Sequence, residues 1–344
     1  MQINVIKNIN DFNAIKPQWD DLYSSSNFTV FQSFEFNYYA WKNELSTIKN
    51  TKLAIVVVKK KDKLKSIFPF YIDNKKQLRF INDIHSDFCD YISIEKIDLN
   101  LIFKYLQNEL SFNVIQLINL KANSLMYSNF EKNQPLILSQ PLEKYSVVHL
   151  SKGVFPENYQ ELKSKQKTGF RRVHKKNKNK THLILKVAQA PFPKEDIILL
   201  KQNMISLGFR NKNFLPENQI NLIENLYNSK KIMISVIKST NKINAISLVL
   251  EKENEYLFWI DMFDDSKMVN IFNYISLMQK LSAMNPVVMN LGRGLYNYKT
   301  SNFKPSIKQL FAIYIFSNKL EKIKFQLRNR IIAILKPIYK KIKG

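Results

Sequence analysis

The sequence is poor in the residues that covalent frameworks and glycine-rich binding loops require. Its 344 residues include one cysteine and six glycines. A single cysteine, Cys89, excludes an intrachain disulfide framework and a cysteine-rich metal site. The sequence also contains no Walker loop, Rossmann fingerprint or nucleophile elbow. We therefore expect no metal and no nucleotide site of those standard types.

Long apolar runs are also missing. The first residues, Met1–Lys7, lack the apolar core of a signal peptide. No run approaches the roughly 20 apolar residues that a membrane-spanning helix needs. We therefore expect a cytoplasmic protein.

Acidic residues are scarce relative to basic ones. There are 53 Lys and Arg residues against 28 Asp and Glu residues, which gives a formal net charge of +25. Such an excess is typical of proteins that bind nucleic acid, an anionic membrane surface or phosphorylated small molecules. The length is sufficient for two domains that each bury a core of their own.

One order of elements occurs twice along the chain: a hairpin, a strand, a helix and a strand. In the first half these segments are Leu53–Val58, Leu64–Ile72, Leu78–Ile81, Leu99–Leu110 and Val114–Ile118. In the second half they are Ile232–Ile237, Ile243–Leu250, Tyr256–Met262, Ile271–Ala283 and Val287–Leu291. The pattern predicts an α/β fold with mixed sheets, duplicated as domains at 1–150 and 151–316 and followed by a basic amphipathic helix at 317–344.

The last three segments of the second half predict a βαβ unit. The N-terminus of its helix presents unpaired N–H groups and a positive partial charge, which suit a phosphate. The returning strand runs into Gly292-Arg293-Gly294, which holds two of the six glycines. Glycine at this density predicts unusual backbone angles or a close approach. The stretch is thus a candidate site for a phosphate-bearing cofactor.

Two further segments are strongly basic. Leu162–Lys180 carries nine Lys or Arg residues and no acid, so its self-repulsion favours an anionic partner. Arg171, Arg172 and Lys175 are the candidate contacts, because a guanidinium matches phosphate geometry.

The tail from Lys319 has nine basic residues, one acid and apolar residues at helical spacing: Leu320, Ile323, Leu327, Ile331, Leu335, Ile338 and Ile342. We expect the helix to break at Pro337. The stripe either packs on the protein or makes peripheral contact with an anionic membrane, at the inner face in a bacterium.

Four motifs together resemble a bacterial acyltransferase family with a duplicated GNAT (N-acetyltransferase) fold. They are Phe31-Gln-Ser33, His149-Leu150, a basic helix ending in Phe170-Arg-Arg172, and Leu291-Gly-Arg-Gly294 followed by Tyr298-Lys299. This family is related to the Fem-type aminoacyl transferases and to proteins of polysaccharide loci. The resemblance implies an amine acceptor and an acyl-CoA donor, or aminoacyl-tRNA in the Fem branch.

The resemblance also implies a set of cofactor-binding residues, namely Trp259, Met262, Ser266, Lys267, Asn270 and Tyr296. We expect Trp259, Asp261 and Phe263 to share one face of their strand and to line the acyl cleft. The segment Asp264–Asn270 contains no glycine, whereas the GNAT cofactor loop has a Gln/Arg-x-x-Gly-x-Gly/Ala pattern. This departure weakens the assignment of a pyrophosphate site.

Catalytic roles follow from the same resemblance. Lys299 is expected to stabilise the oxyanion that forms when an amine attacks a thioester. Tyr298 could protonate the leaving thiolate, and Asp261, Asp87 and His85 are the candidate bases or acceptor contacts. Substrate binding is assigned to Arg171, Arg172, Lys175, Arg293, Asp90 and Tyr91.

The leading hypothesis from the sequence is an N-acyltransferase that uses acyl-CoA to acylate a nucleotide-linked amino sugar for surface polysaccharide. The sugar amine would attack the thioester directly. The alternatives are a Fem-like aminoacyl transferase that uses charged tRNA, and a non-catalytic nucleic-acid-binding module. Only these alternatives require a nucleic-acid partner.

Overall fold

The computed structural model describes residues 1–25, 28–130, 134–240, 242–266 and 268–343. In the last helix it describes side chains as far as residue 335, except that of residue 333.

The chain forms two compact units. The first consists of Met1–Asn27, Leu45–Leu142 and Phe311–Gly344, and the second consists of Phe28–Glu44 and Glu143–Leu310. Each unit contains helices and a sheet with both parallel and antiparallel neighbours. The predicted α/β class with mixed sheets is therefore confirmed.

Thirteen strands and eleven α-helices are present in the described part of the chain. The strands are β1 (Gln2–Ile6), β2 (Lys52–Lys60), β3 (Lys63–Ile72), β4 (Gln77–Phe80), β5 (Ile92–Ser93), β6 (Val114–Lys121), β7 (Ile137–Leu150), β8 (Thr181–Leu185), β9 (Ile232–Ser239), β10 (Lys242–Lys252), β11 (Glu255–Phe263), β12 (Val287–Arg293) and β13 (Ser306–Phe316). The helices are α1 (Ile9–Ala14), α2 (Lys16–Ser24), α3 (Phe34–Asn43), α4 (Leu99–Glu109), α5 (Leu125–Ser128), α6 (Ser164–Lys176), α7 (Lys194–Ser206), α8 (Glu217–Asn228), α9 (Val269–Ser282), α10 (Asn297–Phe303) and α11 (Lys319–Lys343).

In the first unit the strand order is β1-β2-β3-β4-β6, followed by the parts of β13 and β7 that belong to this unit. The predicted hairpin is β2–β3, and its turn residues Lys61 and Asp62 both have positive φ, at 50° and 59°. A two-residue turn with positive φ at both positions matches the right-handed twist of the flanking strands. β4 and β6 are parallel and are joined through α4, which buries Leu99, Ile102 and Leu106. The hydrophobic core of this unit therefore includes the inner face of α4.

In the second unit the remaining parts of β13 and β7 are followed by β12-β11-β10-β9-β8. β9 and β10 form the second predicted hairpin, and β11 and β12 are the parallel pair joined through α9. α9 is buried along most of its length, because residues 271–278 are all buried. The predicted βαβ unit is therefore present.

The segment Phe28–Glu44 packs in the second unit although it lies early in the chain. Its helix α3 begins after Ser33, whose Oγ accepts a hydrogen bond from the N–H of Phe36 at 3.2 Å and so caps the helix. The rings of Phe31 and Phe36 lie 6.0 and 5.5 Å from that of Trp259. An aromatic cluster of this kind buries a large apolar area.

Helix α11 is continuous from Lys319 to Lys343, so the break expected at Pro337 is not present. A proline removes one backbone hydrogen bond, and an exposed helix can leave the freed carbonyl to water. Side chains 338 and 342 of the predicted stripe lie outside the described part. Within the described residues, no helix is long and apolar enough to cross a bilayer.

The aromatic cluster predicts that the packing of α3 contributes strongly to stability. Phe36 is fully buried, so Phe36→Ala should lower the free energy of unfolding by about 3–5 kcal/mol. Because Trp259 loses a ring neighbour, its fluorescence in the native state should change as well. Urea unfolding followed by tryptophan emission measures both. Leu199→Ala, at a side chain that is 58% exposed, is the control and should cost less than about 0.5 kcal/mol.

Candidate active site

The parallel strands β11 and β12 separate soon after they begin. Their ladder pairs Glu255, Tyr256 and Leu257 with Val288, Met289 and Asn290. Beyond these three pairs β11 continues to Phe263 and β12 to Arg293 without further pairing to each other. The separation opens the sheet beside the N-terminal half of α9. A substrate could therefore reach the strand backbones here.

A bulge alters the direction of the side chains along β11. Val249 pairs with Phe258 and Leu248 pairs with Ile260, so Trp259 is an extra residue. An extra residue shifts the alternation of the strand that follows it. Trp259 contacts Phe31 and Phe36, whereas Asp261 contacts Tyr274 of α9. The expectation that Trp259, Asp261 and Phe263 share one face is therefore wrong, because the bulge separates Trp259 from Asp261.

The carboxylate of Asp261 accepts two short hydrogen bonds. Oδ1 accepts from the hydroxyl of Ser247 at 2.7 Å, and Oδ2 accepts from the hydroxyl of Tyr274 at 2.5 Å. Burial raises the pKa of Asp261, while these bonds and the charge of Lys299 oppose the shift. A carboxylate with a raised pKa is a better proton acceptor near neutral pH than an ordinary one.

Tyr274 is held rigidly. Its ring stacks on Phe258 with centroids 3.8 Å apart and on Phe303 with centroids 5.6 Å apart. Burial, together with the neighbouring carboxylate, raises the pKa of Tyr274 well above its ordinary value. Because its hydroxyl proton is donated to Asp261, its oxygen is left to accept from the hydroxyl of Tyr298, its other hydrogen-bond partner. Asp261, Tyr274 and Tyr298 thus form a hydrogen-bonded series.

The series continues inward from Ser247 through polar groups in an otherwise apolar interior. Asn273 donates from Nδ2 to Ser247 at 2.9 Å and accepts from Ser235 at 2.6 Å. The hydroxyl of Ser235 donates its proton to Asn273. In the contact of 2.8 Å between Ser235 Oγ and His182 Nε2, the imidazole N–H must therefore be the donor. His182 is therefore a neutral tautomer protonated at Nε2, and burial lowers its pKa to about 3.

The glycine-flanked arginine forms a tight turn at the end of β12. Gly292 and Gly294 have φ of 73° and 83°, which confirms the unusual backbone angles predicted there. A Cβ at Gly294 would lie 2.8 Å from the ring of Tyr296, so a side chain there would have to displace that ring. The ammonium of Lys299 donates to the carbonyl of Arg293 at 3.1 Å and lies 5.1 Å from the Tyr296 ring.

Lys299 is an unusual lysine because it is only 5% exposed. It is in the first turns of α10, directly after Tyr298, and its charge is felt by the carboxylate of Asp261. Tyr296 itself is 54% exposed, and its ring stacks against that of Tyr298 with centroids 6.1 Å apart. Three predicted residues, Lys299, Tyr298 and Asp261, are thus brought together in the second unit.

Two aspartates, Asp264 and Asp265, precede α9. Asp264 accepts from the N–H of Ser266 and from Asn244, both at 2.9 Å, and pairs with Lys242 at 3.0 Å. Although burial raises the pKa of Asp264, these hydrogen bonds outweigh it and lower that pKa overall, so the group is ionised. The neighbouring Asp265 is exposed.

The remaining residues assigned to the cofactor lie in varied surroundings. Ser266 and Asn270 are half-buried, and Met262 is fully buried. Lys267 lies outside the described residues. The helix begins after Met268, whose φ is 62°.

The basic helix α6 lies beside the elements that carry Lys299. It packs through Phe170 and Val173, and the Phe170 ring stacks on Phe303 of α10 with centroids 5.6 Å apart. Gln166 donates to the carbonyl of Ser301, also in α10, at 3.2 Å. Arg171, Arg172 and Lys175 all point to solvent. A basic face therefore borders the helix that supplies the buried ammonium.

Four predicted site residues belong to the first unit. Asp90 accepts hydrogen bonds from Leu125 N at 2.7 Å and Met126 N at 2.9 Å, the first two N–H groups of α5. Tyr91 is fully buried and stacks on Phe68 with centroids 4.4 Å apart. His85 is half-buried and Asp87 is buried. Asp90 and Tyr91 have evident structural roles.

Five residues of this network were not predicted from the sequence: Tyr274, Ser247, Asn273, Ser235 and His182. A signal for them was present in the sequence. Asn273 and Tyr274 interrupt an apolar helix, and Ser235 and Ser247 interrupt apolar strands. Polar residues inside buried elements need partners, so their coincidence indicates a shared network.

No family model matches the sequence, and no curated protein matches it. Solved structures with the same fold do exist. The C-terminal domain of a putative lysylphosphatidylglycerol synthetase from Agrobacterium fabrum is 12% identical, with a TM-score of 0.61 over 93% of this chain and 97% of that one. L-PGS from Bacillus licheniformis is 15% identical, with a TM-score of 0.54 over 81% and 89%.

A third similar structure is FemX, which is 8% identical with a TM-score of 0.59 over 94% of this chain and 99% of that one. Likeness at such low identity establishes the fold alone. The predicted tandem GNAT-like architecture is therefore confirmed.

The buried imidazole of His182 predicts how the free energy of unfolding depends on pH. Because the folded pKa of His182 is about 3 and the unfolded value is 6.5, the unfolded chain binds more protons between these values. Stability should therefore fall as pH falls below 6.5. Between pH 7 and pH 5 this group should cost about 2 kcal/mol in the free energy of unfolding.

His182→Gln keeps a donor for Ser235 and removes the titration. Urea unfolding at both pH values should show a loss in the variant that is smaller by about 2 kcal/mol. The exposed His149→Gln is the control and should retain the full acid sensitivity. Equal pH dependence in His182→Gln and the parent protein would contradict the buried neutral imidazole.

Proposed function

We propose that the second unit catalyses direct transfer of an aminoacyl group from an RNA-linked ester to an amine or hydroxyl acceptor. The observation that carries the proposal is the hydrogen-bonded series Asp261–Tyr274–Tyr298 next to the buried ammonium of Lys299. This arrangement supplies a proton acceptor, a proton carrier and a cation where β11 and β12 separate.

The series can move a proton in both directions. When the acceptor nucleophile attacks the ester carbonyl, its proton passes to Tyr298, while the protons of Tyr298 and Tyr274 shift one step toward Asp261. When the tetrahedral intermediate collapses, the C–O bond to the ribose breaks and the ribose oxygen takes that proton back. No net proton is gained or lost, and no covalent bond to the enzyme forms. The raised pKa of Asp261 suits this role.

Lys299 supplies the charge that the intermediate needs. The attack places negative charge on the former carbonyl oxygen, and a cation fixed nearby stabilises it more than it stabilises the neutral ester. The ammonium is oriented by the Arg293 carbonyl and screened from water by the Tyr296 ring. Glycine at position 294 allows the Tyr296 ring to lie over the ammonium, because a side chain at that position would displace the ring.

The distribution of charge supports an RNA-linked donor. The exposed face of α6 presents Arg171, Arg172 and Lys175 beside α10, as RNA phosphates would require. In the approach to α9, Asp264 is already paired with Lys242 and Asp265 is exposed, so the described residues there offer a diphosphate no comparable basic face. The names of the similar proteins include a lysylphosphatidylglycerol synthetase, which denotes aminoacyl transfer to a lipid.

A second candidate is acyl-CoA-dependent N-acylation of a nucleotide-linked amino sugar for surface polysaccharide. The separation of β11 from β12 favours it, because the strands are not paired with each other beyond Leu257 and their backbones could hydrogen-bond an extended arm. The same amine attack would then release a thiolate, which Tyr298 would protonate. Arg293 and the basic face of α6 would hold the nucleotide phosphates. His85 and Asp87 stay candidate acceptor contacts in this case.

The first test of the chemistry is Lys299→Met, which keeps much of the length and removes the cation. With aminoacyl transfer as the assay, kcat should fall on the order of 10²-fold while KM changes little. Tyr298→Phe should also lower kcat, because it interrupts the proton series. Lys308→Met, at an exposed lysine of β13, should behave as the parent protein. Near-parental turnover of Lys299→Met would remove the ammonium from the mechanism.

The second test concerns the donor. Filter binding with bulk aminoacyl-tRNA should give an affinity that falls steeply with salt, and the double variant Arg171→Ala/Arg172→Ala should bind on the order of tenfold more weakly. A double variant with the same change of charge, Lys238→Ala/Lys308→Ala, removes two exposed lysines elsewhere and should bind nearly as well. If millimolar CoA raises the Tm and charged tRNA does not bind, the second candidate replaces the first.

A further inference from the structure

Helix α11 packs on the first unit along only one side. The Phe325 ring contacts Tyr314 and Phe316, with centroids 4.6 and 5.3 Å apart. Lys322 on the same side donates to the carbonyls of Pro135 at 2.6 Å and Ile137 at 3.2 Å. Glu321, Lys322 and Phe325 are half-buried, whereas every other described side chain from Lys319 to Leu335 is exposed. The contact to the unit is therefore a narrow one.

Six large apolar residues of α11 lie on another side, and each is between 51% and 65% exposed: Leu320, Ile323, Leu327, Ile331, Ile334 and Leu335. Ile332, which is 48% exposed, lies on the side of Phe325 and is not one of them. At about 100° per residue they fall within an arc of about 120°, whose centre lies about 140° around the helix from Phe325. A helix that served only to cover its own unit would bury this arc. The Leu/Ile stripe instead faces away from the unit.

Basic residues border the Leu/Ile stripe on both sides. Lys319 and Arg330 lie along one border and Arg328 lies along the other, while Lys324 falls just inside the arc near Arg328. All four are exposed. Lys324 and Arg328 also line a groove together with Lys75 of the first unit, and the one acid in that groove is Glu321, which already pairs with Lys324 at 2.7 Å. The surface around the stripe is therefore cationic.

We infer that α11 binds the surface of an anionic membrane, with its axis in the plane of the interface. The Leu/Ile stripe would enter the boundary between headgroups and acyl chains, and the bordering cations would meet anionic headgroups. A second copy of the chain is a poorer occupant, because a symmetric pairing of two such stripes would bring their cationic borders together. The inference is independent of the proposed function, since it rests on α11 alone.

The test is sedimentation of the full-length protein with vesicles. Phosphatidylcholine vesicles with about 30% phosphatidylglycerol should bind the protein at low salt and release much of it near 1 M salt, where the Debye length is about 3 Å. Ile323→Glu/Leu327→Glu should bind at least tenfold more weakly. The matched control Leu199→Glu/Leu207→Glu changes two exposed leucines of the second unit and should bind as the parent does.

Far-ultraviolet circular dichroism of both double variants checks that their helix content is unchanged. The inference fails if the parent protein does not bind phosphatidylglycerol vesicles at low salt, or if the stripe variant binds as well as the control. Sedimentation equilibrium without lipid tests whether a second copy of the chain binds the stripe instead. A dimer of the parent that the stripe variant abolishes, in the absence of any vesicle binding, would assign the stripe to a second copy of the chain.

Discussion

The early separation of β11 from β12 is the constraint on which the site in the second unit depends. Only three residue pairs join these strands, so the facing backbone edges beyond Leu257 are not paired with each other. The bulge at Trp259 then decides what the opening contains: it directs Trp259 toward Phe31 and Phe36 and leaves Asp261 facing α9. A regular strand would have placed these two side chains on the same face.

The polar network behind β11 requires that several polar groups be buried, which costs free energy unless each group finds a partner. A hydroxyl or amide buried without a partner costs on the order of 1–3 kcal/mol, and a buried carboxylate costs more. Ser235, Asn273 and Ser247 satisfy one another in turn and deliver a donor to Asp261. The network fixes the position of the carboxylate, while burial raises the pKa of Asp261 against the opposing effect of these hydrogen bonds. Stability and reactivity depend here on the same hydrogen bonds.

Much of the fold followed from local patterns in the sequence. Alternation and turn residues predicted both hairpins, and the glycines around Arg293 predicted the turn with positive φ at Gly292 and Gly294. The bulge at Trp259 was not predictable, because an added residue in a strand leaves no compositional trace. The packing of α3 in the second unit and the series from His182 to Tyr298 depend on contacts between residues far apart in the chain. Periodicity within a segment carries no information about such contacts.

A crystal structure with a stable amide analogue of the aminoacyl-adenosine end of a charged tRNA tests the central claim most directly. The account predicts that the analogue lies where β11 and β12 separate, with its carbonyl oxygen about 3 Å from the ammonium of Lys299 and the attacked face open to Tyr298. An analogue that is bound elsewhere in the second unit, with its carbonyl out of reach of Lys299, would contradict it.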